Sequence, residues 1–185
     1  MSKIKNYFFL SLLLPLTCFA HPNHLGYQGF EAGFLHPLTG MDHALAMIAV
    51  GLIASQKNKR WLYPAVFVGM MIMGGVIGAL GVHLSLAELG ITLSVLVLGL
   101  CASFPNHLPS IFLLILIGSF ALCHGFAHGA EMPATVSIWQ YALGFMSATL
   151  ALQLLAMRVG LFLIPKQTWI LRAMGMLLAA CTFWI

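Results

Sequence analysis

Charge is what this 185-residue sequence has least of. Only 6% of its residues are Asp, Glu, Lys or Arg, where a soluble domain carries roughly a quarter. With 61% hydrophobic residues and a mean hydropathy of +1.00, there is too little polar surface to face water on all sides. That excludes an ordinary soluble globular protein and makes lipid the solvent for most of the chain. Cysteine is sparse as well: Cys18, Cys101, Cys123 and Cys181 show no CxxC spacing, a poor disulfide framework and a poor zinc-ribbon pattern, which leaves small apolar packing as their role. No GxxxxGK[ST] phosphate loop occurs, so nothing argues for ATP hydrolysis by this chain. Neither a low-complexity segment nor a soluble domain is present. The formal net charge of +4 is not a nucleic-acid signature, because the basic residues fall in small groups between apolar runs, as cytoplasmic membrane loops do. A lipid bilayer is the expected partner, and nucleic acid is not.

What is present is export and span signal. Residues 1–20 read as a cleavable signal peptide: Lys3 and Lys5 form the positive n-region, the run 7–16 is of h-region length, and Cys18 and Ala20 flank Phe19 as an A-x-A-like cleavage site. The competing reading is an uncleaved first membrane helix. Six spans follow, each near the roughly 20 residues that cross a bilayer, at about 30–54, 62–82, 85–103, 109–129, 135–157 and 168–185. The fold class is therefore all-α, a polytopic bundle of six transmembrane helices forming one domain over 21–185. The fifth span has room to continue towards Ile164, where Pro165 offers a stop. A removed signal places the mature N-terminus in the periplasm of a bacterial inner membrane. Lys57, Lys59, Arg60, Arg158, Lys166 and Arg172 then all fall inside, as the positive-inside rule requires. Gly74 and Gly78, and Gly125 and Gly129, sit at i,i+4 spacing, which lets helix backbones approach. Trp61, Tyr63, Trp169 and Trp184 read as interface anchors, and the eleven methionines mostly as lipid-facing or packing residues.

Against four acids stand eight histidines. The first span contains His36-Pro37-Leu38-Thr39-Gly40-Met41-Asp42-His43. An ionisable group in hydrocarbon costs at least about 2.5–3.5 kcal/mol for the charged types, so such groups face a partner or a wet cavity. His36 and His43 share a face if helix persists across Pro37, whereas an unwound turn at Pro37 and Gly40 would bring His36 nearer by another route. Asp42 is offset by about 100° from His43, as a ligand or as the acceptor that orients an imidazole. The fourth span ends in Cys123-His124-Gly125-Phe126-Ala127-His128-Gly129-Ala130-Glu131. Its spacing puts His124, His128 and Glu131 on one side of a helix, two imidazoles and a carboxylate for one ion. Glu88 and His83, with Glu31, add to the outer half of the bundle, Asp42 and His43 lie near its middle, and only His107 is inside. At the mature N-terminus, His21 and His24 would either collect metal or form an ordinary polar tail. Each intramembrane His alone is readily a helix–helix hydrogen-bond partner, and Glu88 could pair with His83. The convergence of two His/carboxylate clusters points to metal: His36, Asp42, His43, Glu88, His124, His128 and Glu131, with His21, His24 and His83 as weaker additions.

On those residues the sequence resembles the HupE/UreJ family of nickel/cobalt permeases associated with hydrogenase and urease gene clusters. The resemblance rests on the HPxxGxDHxxAMxxVGLxA-like stretch 36–54 and the HGxAHGxE stretch 124–131, and it extends over nearly the whole chain. It implies a divalent metal as transported substrate, Ni²⁺ with Co²⁺ as an alternative, no prosthetic group, and a functional link to hydrogenase or urease maturation proteins. Imidazole with carboxylate also suits borderline divalent ions better than Mg²⁺ or Ca²⁺. The expectation is a secondary, ATP-independent permease rather than an enzyme. The two motifs fall on the first helix of each three-helix half, which leaves room for an inverted repeat, although the halves show no convincing sequence match. Two other classes compete: an intramembrane zinc-dependent hydrolase using the same cluster to activate water, and a haem-binding subunit using paired histidines as axial ligands.

Overall fold

A computed structural model describes residues 29–82, 85–104, 107–132, 137–164 and 168–185. The proposed signal peptide, His21, His24, His83 and Lys166 lie outside the described residues. Among the described residues seven α-helices follow one another: α1 Gly29–Thr39, α2 Met41–Ser55, α3 Leu62–Ala79, α4 Ala87–Ser103, α5 Ser110–Glu131, α6 Ile138–Leu163 and α7 Thr168–Cys181, with a final 3-10 turn at Thr182–Trp184. Three of them (Leu62–Ala79, Ser110–Ala130 and Ile138–Leu163) are long and apolar enough to cross a membrane, and α1 with α2, if the bent pair is one span, makes a fourth. The helices α4 and α7 are apolar but shorter. As expected, α6 runs on past Met157, ending at Leu163.

Of the two readings of the first span, the broken one holds. The stretch 30–54 is not one helix but two, bent by 78°. The helix tolerates Pro37, which lies inside α1, and breaks instead at Gly40, an extended residue (φ −80°, ψ 108°) that serves as N-cap of α2. The Thr39 hydroxyl shares its proton between the carbonyls of Leu35 and His36 at 3.1 and 3.0 Å, and the Gly40 amide donates to the His36 carbonyl at 3.1 Å, closing the last turn of α1. Asp42, in the first turn of α2, accepts the His43 amide at 2.8 Å, and a carboxylate is favoured at a helix N-terminus. His36 and His43 therefore sit on different helices, and Asp42 and His43 start the second of them, near the middle of the stretch 29–55.

Backbone-to-backbone packing at glycine sets the arrangement. Gly74 and Gly78 of α3 abut the main chain of Leu122, Phe126 and Ala130, while Gly125 and Gly129 of α5 abut that of Met71, Gly75 and Ala79. Where lipid replaces water, such close approach is a principal source of helix association. The same device joins α1 to α6 (Gly33 on Tyr141, Gly144 on Phe30), α2 to α6 (Gly51 on Gln153) and α4 to α7 (Gly99 on Gly175 and Ala179). If α1–α4 and α5–α7 are taken as two halves, exchanging them turns the pairing of α1–α2 with α6 into that of α5 with α3, and leaves α4 with α7. The packing of α2 on α4 has no counterpart of that extent among the described residues.

The two ends of the bundle differ in charge. Lys57, Lys59 and Arg60 join α2 to α3, and the Lys57 ammonium donates to the Leu108 carbonyl at 3.1 Å. Arg172 lies 5.9 Å from the Phe104 ring at the same end, and Arg158 is in the last two turns of α6. Trp61 and Trp169 are exposed there, whereas Tyr63 is only 2% exposed. Tyr63 is thus a core residue packed with Phe67 and Met71 rather than an interface anchor.

Gly125→Ala places a methyl group on the Met71 carbonyl, and overpacking of this kind costs about 1–3 kcal/mol. The thermal midpoint in detergent should fall, while Gly69→Ala, which meets nothing within 4 Å, should leave it unchanged or raise it. Equal midpoints for the two variants would show that the α3·α5 contact is not the tight one.

Candidate metal centre

At the end of the bundle opposite the cations, four imidazoles from three helices pack together. The break at Gly40 turns His36 from α1 and His43 from α2 towards each other, with ring centroids 6.0 Å apart. The i,i+4 spacing on α5 aims His124 and His128 at the same place. His43 is 4.8 Å from His124 and 4.4 Å from His128, and His36 is 4.6 Å from His128. Phe67 of α3 and Phe145 and Tyr141 of α6 wall the cluster, Phe145 lying 4.1 Å from His128. His124, His128 and His43 are buried, His124 completely.

Hydrogen bonds define which nitrogens are free. Asp42 Oδ1 accepts from His43 Nδ1 at 2.6 Å, so the lone pair of His43 is on Nε2. The Ser94 hydroxyl of α4 donates its one proton to the Ile91 carbonyl at 2.6 Å and lies 2.9 Å from His124 Nε2. It can therefore only accept from that nitrogen, which leaves the lone pair of His124 on Nδ1. Both exposed lone pairs, His43 Nε2 and His124 Nδ1, are buried without a hydrogen-bond partner among the described residues, as are both ring nitrogens of His128. Fixing one ring nitrogen by a carboxylate or hydroxyl so that the other is basic and oriented is the usual support of a ligating histidine. The rings presently meet edge to face, and among the described residues no three His, Cys, Asp or Glu side chains form a ready-made metal cage. Coordination requires the rings to turn.

The other sequence candidates are placed less centrally. Glu131 ends α5, three residues beyond His128, but its side chain lies outside the described residues. Glu88 is exposed in the first turn of α4, six residues or about 9 Å along the axis before Ser94. Glu31 is likewise exposed near the start of α1. His107 lies at the opposite, cationic end beside Phe104. Cys101, Cys123 and Cys181 are free thiols. Ser94 escapes sequence reasoning because a serine in an apolar helix ordinarily bonds its own preceding turn, and nothing in its neighbours announces His124. A cavity of about 370 Å³, mostly apolar, opens beside His128 between α3, α5 and α6, with Val76, Met132 and Trp139 on its walls.

Apolar helices able to cross a bilayer, enclosing polar groups at one end, define a multi-pass membrane protein. The chain belongs to the HupE / UreJ protein family, which it matches over residues 9–185. It is 40% identical over 147 residues to the protein HupE of Rhizobium leguminosarum bv. viciae, a match covering 78% of this chain and 76% of that protein. No solved structure gives a significant match.

A buried polar group without a partner destabilises by about 1–3 kcal/mol. His128→Phe, which removes two such nitrogens, should therefore leave the metal-free thermal midpoint unchanged or raise it. A fall of several degrees would mean that His128 is held by hydrogen bonds and is a structural residue.

Proposed function

We propose that this protein is a secondary, ATP-independent permease for uptake of a divalent transition metal. Ni²⁺ is the first candidate cargo and Co²⁺ the second, delivered to metalloenzyme maturation such as that of hydrogenase or urease. The observation that carries the reading is the cluster itself: four neighbouring imidazoles, with four ring nitrogens buried and unpartnered, in a chain with almost no other intramembrane charge. Natural cores rarely keep such groups without a use, and polar groups at membrane depth mark substrate pathways. Membership of the HupE / UreJ family supports the same conclusion.

In this reading six spans cross the inner membrane after signal removal, with α1–α2 as the first, and α4 and α7 as short spans. The positive-inside rule assigns the Lys57–Arg172 end to the cytoplasm, so the imidazoles face the periplasm. His36, His43, His124 and His128 are the proposed donors, Asp42 and Ser94 position two of them, and Glu88 and Glu131 attract the cation at the mouth. The weaker candidates His21, His24 and His83 would collect it. Rings that must turn to converge suit a substrate site, which has to release its ion, better than a structural one. Inward movement of a divalent ion gains about 4.6 kcal/mol per 100 mV of negative-inside potential, at about 2.3 per charge, so no ATP-hydrolysing domain is needed and no prosthetic group is invoked. The apolar cavity beside His128 is the one feature that favours the hydrolase reading, since it could admit an acyl chain or peptide. Release of product from labelled lipid without metal flux would identify that activity.

Cells expressing the protein should accumulate radiolabelled Ni²⁺, with Co²⁺ competing more strongly than Zn²⁺. His43→Ala and His128→Ala should abolish accumulation at equal membrane protein level, and Asp42→Asn should lower it by about 10–100-fold, the usual effect of losing an orienting partner. Wild-type accumulation in both alanine variants would defeat the assignment.

A further inference from the structure

Beneath the imidazoles lies a second set of buried polar side chains, partnered only by sulfur atoms and incompletely so. Along α6, residues 141, 145, 149 and 153 follow one another at helical spacing on one face. Tyr141 and Phe145 touch the histidines, and the two below them are Thr149 and Gln153, both completely buried. On α2, Met47 is one turn below His43 and is also completely buried, while Met71 of α3 is 3% exposed. The Gln153 amide donates to Met47 Sδ at 3.5 Å, and the Thr149 hydroxyl lies 3.9 Å from Met71 Sδ. A thioether is a weak acceptor, and Gln153 Oε1 is left with no partner among the described residues. Two pairs, an amide with one thioether and a hydroxyl with another, therefore lie one helical turn apart along α6 in the apolar core, about one to two helical turns deeper than the cluster.

We infer that Gln153, Thr149, Met47 and Met71 form a second, inner station for the transported cation, between the imidazoles and the cationic end. The inference rests on the uptake reading above. All four donors are neutral, so they hold a divalent ion more weakly than a cluster supported by Asp42, and an ion passed inward is not trapped. Thioethers favour soft and borderline metals and offer little to Mg²⁺ or Ca²⁺, so the station repeats the selection made outside. An amide oxygen without a partner in a dry core is a poor structural element but a suitable ligand.

The test uses the full-length protein carrying Gln153→Leu or the volume-preserving Met47→Leu. Three quantities are measured: ⁶³Ni²⁺ uptake in cells, Ni²⁺ affinity in detergent by calorimetry, and the metal-free thermal midpoint. For Gln153→Leu, uptake should fall by about tenfold or more, as for loss of a ligand-shell group, with affinity at the imidazoles and the midpoint retained or raised. Met47→Leu should lower uptake in the same direction. Uptake within about twofold of wild type in both variants would overturn the station, since loss of a ligand should exceed that margin. So would a midpoint that falls in parallel with uptake, which would mark Gln153 and Met47 as packing residues. If wild-type protein neither binds nor accumulates Ni²⁺, the permease reading fails first and the station with it. If wild type transports and the variants match it, only the station fails.

Discussion

Everything in this molecule is arranged around one awkward requirement: imidazoles kept together, largely dry, with their lone pairs unused. Neutral rings avoid the expense of burying charge, and the bond from His43 Nδ1 to Asp42 fixes which nitrogen of the pair is exposed to the cluster. The Ser94 hydroxyl does the same for His124 from a third direction. Without these two bonds the rings could exchange tautomers and lose the orientation of their free nitrogens. The cluster is thus held from outside by positioning groups while its interior stays unsatisfied. Such unsatisfied nitrogens are held at some expense of stability.

Glycine makes room for it. The α3·α5 and α1·α6 contacts bring backbones together where a side chain would not fit, so the helices bearing His36, His124 and His128 are set by main-chain contact rather than by adaptable side chains. The break at Gly40 then delivers His36 and His43 from two directions. A straight first helix would have stacked them about two turns apart on one face. The long helix α6 completes the arrangement, walling the histidines with Tyr141 and Phe145 and continuing inward through Thr149 and Gln153.

Much of this was legible in the sequence, for physical reasons that can be named. The i,i+4 pair His124 and His128 landed where helical periodicity puts it, and Gly74, Gly78, Gly125 and Gly129 all line the one interface between α3 and α5. The segregation of Lys and Arg to one end also follows from the chain order of apolar runs. The first span was legible only as two alternatives, because apolar length alone does not register a bend: hydropathy is the same on both sides of Gly40, and Pro37 and Gly40 both offered an unwound turn, of which only Gly40 breaks the helix. Tyr63 was misplaced because its neighbour Trp61 is exposed and position along a helix does not reveal which face is covered. Ser94 gave no signal. Gln153 did give one, an amide inside the apolar run of α6, and it was overshadowed by the histidines.

The central claim is that these imidazoles share one ion, and nickel K-edge X-ray absorption of purified protein loaded with one equivalent of Ni²⁺ tests it most directly. The account predicts the multiple-scattering pattern of two or more imidazoles around the metal, reduced when His124 is replaced. A shell of water and carboxylate oxygens alone, indifferent to that replacement, would contradict it.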